Sequence, residues 1–151
     1  MANHDDLNRY LRESIARCTC FNIRRVSRAV TQYYDIKLKP CGLRITQVAL
    51  LTAIQVNQHL NISTLSKIMA TDKSTLTRNL RPMIDLGYIE SLPGSDRRTR
   101  ELRITNAGVK IIKQAIPLWE SAQTSMEKEL GKKDMNILYG LLGNVFQVTR
   151  H

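Results

Sequence analysis

Thr71, Ser74, Thr75, Arg78 and Arg81 fall on one side of a helix when projected at roughly 100° per residue, with Thr77 on the flank and Lys73 in the first turn. Their chemistry is recognition without bond making. A guanidinium group can bond bidentately to guanine O6 and N7, and a hydroxyl can reach base edges or phosphates from a helix lying in the major groove. Further along, Asp96-Arg97-Arg98-Thr99-Arg100 places three guanidinium groups in five positions. On a protruding turn such a cluster suits phosphate contact or entry into a narrow, electronegative minor groove, and Asp96 would hold one of the arginines in place. Taken alone, the same cluster also fits a solvated turn.

The elements around these groups decide between those readings. Asn61 is a good N-cap, and Ile62, Leu65 and Ile68 or Met69 then follow at the spacing of one buried helical face. A short break at Ala70-Thr71 comes next. Asp72 or Thr71 can cap a second helix whose Leu76, Leu80, Met83 and Ile84 form the inward stripe. Pro82 removes a hydrogen bond to the carbonyl of Arg78 and predicts a kink in the last turn, and Gly87 supplies the stop. The period then changes. Residues 88–92 and 101–104 are short runs of β-formers joined through Pro93-Gly94-Ser95-Asp96, with Leu102 and Ile104 on one face and Glu101 and Arg103 on the other. The stretch reads as a helix-turn-helix followed by an arginine-tipped β-hairpin, the parts of a winged DNA-binding module.

Several unrelated motifs in fixed order carry a resemblance. Ser74-Thr75-Leu76-Thr77-Arg78, then Leu86-Gly87-Tyr88-Ile89, then Asp96-Arg97-Arg98 leading to Leu102-Arg103-Ile104-Thr105-Asn106-Ala107-Gly108 resemble the MarR family of bacterial transcriptional regulators. Upstream, Lys39-Pro40-Cys41-Gly42-Leu43-Arg44-Ile45-Thr46-Gln47 resembles the family's entry into its second helix, so the similarity spans nearly the whole chain. It implies a homodimer that regulates transcription from double-stranded DNA in response to a small molecule or an oxidant, with the winged module at about 44–108 and dimerisation helices at about 6–38 and 109–150. One position departs from the pattern. Five residues after the aspartate the family places a basic residue, and here Glu101 stands there between Arg100 and Arg103.

Composition points the same way. A chain of 151 residues that is 42% apolar suits a single domain with a core, and a formal charge of +10 with a pI near 9.9 calls for a polyanionic partner. The charge is spread along the chain, so the motif locates the site and the net charge does not. Aromatic content of 5% leaves no base-stacking platform of the kind that single-strand or RNA binding uses. No signal peptide and no apolar run of about 18 residues is present, which predicts a cytoplasmic protein without a membrane partner.

The flanking segments read as helices with more apolar surface than one small domain uses. Leu7, Leu11, Ile15, Cys18, Val26, Ala29, Val30 and Tyr33 drift along one side of a helix over about 6–38, ended by Pro40. Residues 47–57 are almost wholly apolar and predict the centre of the domain. Ile112, Ala115, Ile116, Trp119 and Met126 form another stripe with a kink at Pro117, and Leu138, Leu141, Leu142, Val145 and Phe146 repeat the pattern. The expected fold is therefore mainly α with a small β-hairpin wing, paired into a two-fold dimer through both termini. Such a dimer presents two recognition helices to a palindromic operator with half-sites about one helical turn apart.

Three cysteines are the remaining chemical hint. On one continuous helix Cys18 joins the apolar stripe, whereas Cys20 lies opposite it between Arg17 and Arg24, cations that favour a reactive thiolate. Cys20-Phe21 resembles the reactive cysteine of the peroxide-sensing OhrR type, and Tyr34 one tyrosine of that site, although Arg24 stands where another tyrosine belongs. Cys41 could resolve an oxidised Cys20 only if the fold brings it near. The histidines, His4, His59 and His151, are scattered, so neither a metal site nor any cofactor is expected, and no nucleophile elbow, phosphate loop or Cys-x-x-Cys motif supports an enzyme. Two rivals to a ligand-responsive repressor remain: a basic architectural binder without a cognate site, and a thiol-based redox sensor using Cys20.

Overall fold

In the computed structural model the described residues are 4–57, 60–94 and 99–149. Seven helices and three strands follow one another as α1 (His4–Arg17), α2 (Thr19–Leu38), α3 (Ile45–Val56), β1 (Leu60–Asn61), α4 (Ile62–Ile68), α5 (Lys73–Asp85), β2 (Ile89–Pro93), β3 (Arg100–Ile104), α6 (Asn106–Leu130) and α7 (Lys132–Val148). A short 3₁₀ turn, Lys39–Cys41, ends α2 and carries Pro40.

The core gathers where the pattern placed it. Leu50, Leu51 and Ile54 of α3, Leu65 of α4, Leu76, Leu80 and Met83 of α5 and Ile89 and Leu102 of the hairpin form one buried cluster, joined by Leu38, Leu43, Leu60 and Ala115. Ile84 departs from its expected place and is exposed. At about 100° per residue it lies some 70° from the centre of the Leu76–Leu80–Met83 stripe, at the edge and not on the face. Of the two alternatives at the end of α4, Met69 packs on the core and Ile68 turns outward.

The wing belongs to a three-stranded antiparallel sheet in the order β1-β3-β2. The central strand β3 pairs Leu102 with both Ser91 and Leu60. Pro93 lies on the edge strand β2, where a missing N–H leaves no gap in a ladder. The root of the hairpin is fixed by Thr105, which accepts from the Gly108 amide and donates to the Gly87 carbonyl at 2.6 Å. Backbone passes so close there that a Cβ on Gly108 would lie 2.2 Å from the Tyr88 carbonyl oxygen.

Two corrections concern the long helices. The N-terminal segment is two helices, because Cys18 leaves the helical region (φ −72°, ψ 111°) and caps α2. The Asn22 amide bridges the break by donating to the carbonyls of Ala16 and Cys18. Neither Pro82 nor Pro117 ends its helix; α5 and α6 run through them.

The terminal helices stand apart from this core. α1 buries no residue and α7 only Met135. Leu7, Leu11, Ile15 and Val26 at one end and Leu138, Leu141, Leu142 and Phe146 at the other are exposed.

Candidate nucleic-acid interface

α5 is built to present one polar face. Asp72 is its N-cap, accepting from the Thr75 amide at 2.8 Å and from the Ser74 hydroxyl at 2.7 Å. The Ser74 hydroxyl, with the Thr75 amide, holds the Asp72 carboxyl well below its ordinary 3.8, so this cap is an anion at any physiological pH. The other end is closed by a Schellman turn: the Gly87 amide donates to the Ile84 carbonyl, the Tyr88 amide to the Met83 carbonyl, and Gly87 takes φ 70°. α4 ends in the same way, with Ala70 donating to Lys67 and Thr71 to Ser66, but there the left-handed position (φ 47°) is an alanine.

Between those closures the inward stripe is buried and the outer side chains are free of the core. Lys73, Ser74, Thr77, Arg78 and Arg81 are exposed, and Thr71 and Thr75 half-buried. Thr71 precedes the cap and lies in the turn, not in the helix. Ser74 and Thr77 donate their hydroxyl protons to Asp72 and to the Lys73 carbonyl, which leaves oxygen lone pairs facing outward as acceptors. Among the described residues Arg78 makes no hydrogen bond or ion pair, so its five donors are available. Arg81 lies 3.9 Å from Asp85, both fully solvated, a contact too weak to hold the guanidinium.

The wing divides. Asp96, Arg97 and Arg98 lie outside the described residues. Arg100 folds back across the hairpin, its Nε donating to the Ser91 hydroxyl at 2.8 Å and its Nη2 to the Ser91 carbonyl. It therefore clamps β2 to β3 and offers DNA only its remaining donors. Arg103 and Glu101, beside the position where the family pattern changes, form an ion pair at 3.6 Å. The sequence gave no sign of Ser91 as the partner of Arg100, since the pair is set by strand register, with Ser91 diagonal to Arg100 across the ladder. Asp35 was equally hidden: from α2 it accepts the first amide of α3, that of Ile45, at 2.7 Å and so fixes the helix behind α4.

The thiols are not assembled into a site within one chain. Cys18 and Cys20 are exposed, and Cys41 is half-buried with its Sγ on the Leu38 carbonyl. Cys20 and Tyr34 lie on one helix fourteen residues apart, about 21 Å along its axis, and Cys41 lies beyond its far end. A disulfide needs Cα atoms within about 7 Å, so Cys41 cannot resolve Cys20 of the same chain. Because the helix breaks at Cys18, Arg17 belongs to α1, so the expected Arg17–Cys20–Arg24 arrangement on a single helix does not form. The Tyr34 hydroxyl donates instead to Gln123 Oε1, whose amide nitrogen donates to Tyr139 and Glu127, and burial pushes the phenol up. Among the described residues no three His, Cys, Asp or Glu side chains gather as metal ligands, and no helix is long and apolar enough to cross a membrane.

Known proteins share this arrangement. Residues 43–99 match the sequence profile of the MarR family. The HTH-type transcriptional regulator SarZ of Staphylococcus haemolyticus strain JCSC1435 is 25% identical over 146 residues, covering 94% of this chain and 99% of that protein. The M. tuberculosis transcriptional regulator MosR, in complex with DNA, superposes with a TM-score of 0.78 at 29% identity, covering 89% of this chain and 100% of the other. An E. coli MarR variant complexed with operator DNA gives a TM-score of 0.76 at 25% identity, with 82% and 89% covered.

Proposed function

From the premise that this chain belongs to the MarR family of DNA-binding transcriptional regulators, we propose that it is a repressor that recognises a palindromic operator as a cytoplasmic homodimer. One observation carries the reading: the face of α5 turned away from the core holds Lys73, Ser74, Thr77, Arg78 and Arg81 in solvent, on a helix locked at both ends. Its open donors and acceptors match the edges of base pairs in the major groove, and a rigid helix presents them without further ordering. Arg78 reads a base; Lys73 and Arg81 pair with phosphates. The exposed apolar faces of α1 and α7 supply the homodimer contact, and two copies of α5 then address two half-sites. A small molecule or an oxidant shifts the spacing of the two helices and releases the DNA, which takes a coupling of only about 1–3 kcal/mol.

The test is fluorescence anisotropy on the duplex immediately upstream of the protein's own gene, against a scrambled duplex, at near-physiological salt. A regulator prefers its site by roughly 10³-fold or more, while a basic architectural protein binds both alike in the 10⁻⁴–10⁻⁶ M range. Equal binding to every promoter-proximal duplex tried would sink the sequence-specific reading. Exposure of Cys20 supports an oxidant as the releasing signal. Organic peroxide should then weaken operator binding by the native protein and leave the Cys20→Ser variant unaffected.

A further inference from the structure

The winged body contains a hollow that the DNA-reading face does not use. It has a volume of about 640 Å³ and lies between α3, α4 and α6, within the range of small-molecule pockets. Its wall on α3 includes Val48 and Ala49, α4 contributes Ile68, and α6 contributes Ile116 and Trp119. Ile68, Ile116 and Trp119 keep 46%, 45% and 39% of their surface exposed, more than packing on the core leaves to an apolar side chain. All eleven lining residues are uncharged, in a chain in which 24% of residues carry charge. Polar side-chain atoms come only from Thr52, Asn57 and the Trp119 indole N–H.

We propose that this cavity binds a neutral, predominantly apolar small molecule, which is the effector of the protein. The lining selects the class. An anion placed there would lose its hydration with no cation to receive it, whereas a neutral hydroxyl or carbonyl finds Thr52, Asn57 or the indole N–H. The place selects the consequence. α4 is the first helix of the helix-turn-helix and α6 leads to the terminal helices, so a ligand wedged between them sets the angle at which α5 is carried. The word effector rests on the regulator reading; the binding site does not, because occupancy is measured with no DNA present.

Trp119 is the only tryptophan and forms part of the wall, so its fluorescence reports occupancy. The full chain is titrated with 4-tert-butylbenzyl alcohol and, separately, with 4-tert-butylbenzoate, which has the same shape and carries a negative charge. The alcohol should give a saturable change and bind at least tenfold more tightly than the carboxylate. Ala49→Phe should abolish the response by filling the hollow. Thr52→Lys, at an exposed position that leaves the fold intact, supplies the missing cation and should invert the preference. Equal or tighter binding of the carboxylate to the native protein, or an unchanged response in both variants, overturns the ligand class. Saturating alcohol should also change operator affinity by about 5- to 150-fold. Saturable binding with operator affinity unchanged overturns the effector assignment, while equal affinity for operator and scrambled DNA before any ligand is added is the separate failure of the regulator reading.

Discussion

The winged body and the terminal helices draw on the same apolar residues and leave them in opposite states. In the body Leu51, Leu65 and Met83 are wholly buried and Leu76, Leu80 and Leu102 nearly so. In α1 and α7, leucines at comparable helical spacing keep from 37% to 58% of their surface in water. The difference teaches where each half finds its stability. The body closes its core with its own strands and helices. The ends carry stripes that a single chain leaves uncovered, which is what an obligate pairing of two chains requires.

Substitutions at the centre of the body should have the largest effect. Leu80→Ala removes a side chain 2% exposed and should cost about 2–5 kcal/mol, read as a fall in the midpoint of chemical unfolding that does not vary with protein concentration. A shift that did vary with concentration would break the comparison. Next comes α7, where the double variant Leu141→Asp, Leu142→Asp should weaken self-association by about 100-fold, or ~2.7 kcal/mol, as followed by sedimentation. The helix-turn-helix should stay folded. If the variant still self-associates like the native protein, the exposed stripes serve another contact.

Arg78→Ala sharpens the comparison from the DNA side, since it touches neither the core nor the terminal stripes. It should cost about 1–3 kcal/mol of operator affinity, concentrated at one base pair, with unfolding unchanged. An equal loss on scrambled DNA would make Arg78 a phosphate contact. Smaller still is the turn between α4 and α5. Ala70 occupies a left-handed position (φ 47°) that Gly87 fills at the equivalent turn, so Ala70→Gly should stabilise the body by about 0.5–1 kcal/mol. Last is an effect of acid on the cap of α5. Because hydrogen bonds depress the Asp72 carboxyl in the folded protein below its unfolded value, its contribution is complete above that value and fades as pH falls toward the folded one. Exchange of the Thr75 amide should therefore quicken in acid below about pH 4, and Asp72→Asn should remove that dependence.

Most of the body was legible because its signals are local. Asn61 and Asp72 cap their helices as their side chains predict, and Gly87 stops α5. What stayed hidden depends on contacts between distant residues or on pieces too short to show a period. β1 is two residues long, and alternation cannot be read from two positions. The break at Cys18 involves neither glycine nor proline; it is held by the Asn22 side chain, which no helix pattern reveals. The expected DNA contact of Arg100 is taken up largely by Ser91, since the register that joins them depends on the whole hairpin. The effector cavity was equally invisible, being drawn from three helices between Ile45 and Trp119.

Asn61 holds two positions at once. It pairs with Glu101 on the wing's central strand, and its side-chain oxygen accepts the Thr64 amide at the start of α4. A force applied to the wing as DNA is seated therefore reaches the helix-turn-helix through one residue, with no slack chain between them. The two DNA-facing parts should rock as a single lever, so that bending the duplex at the wing is felt as torque on α5.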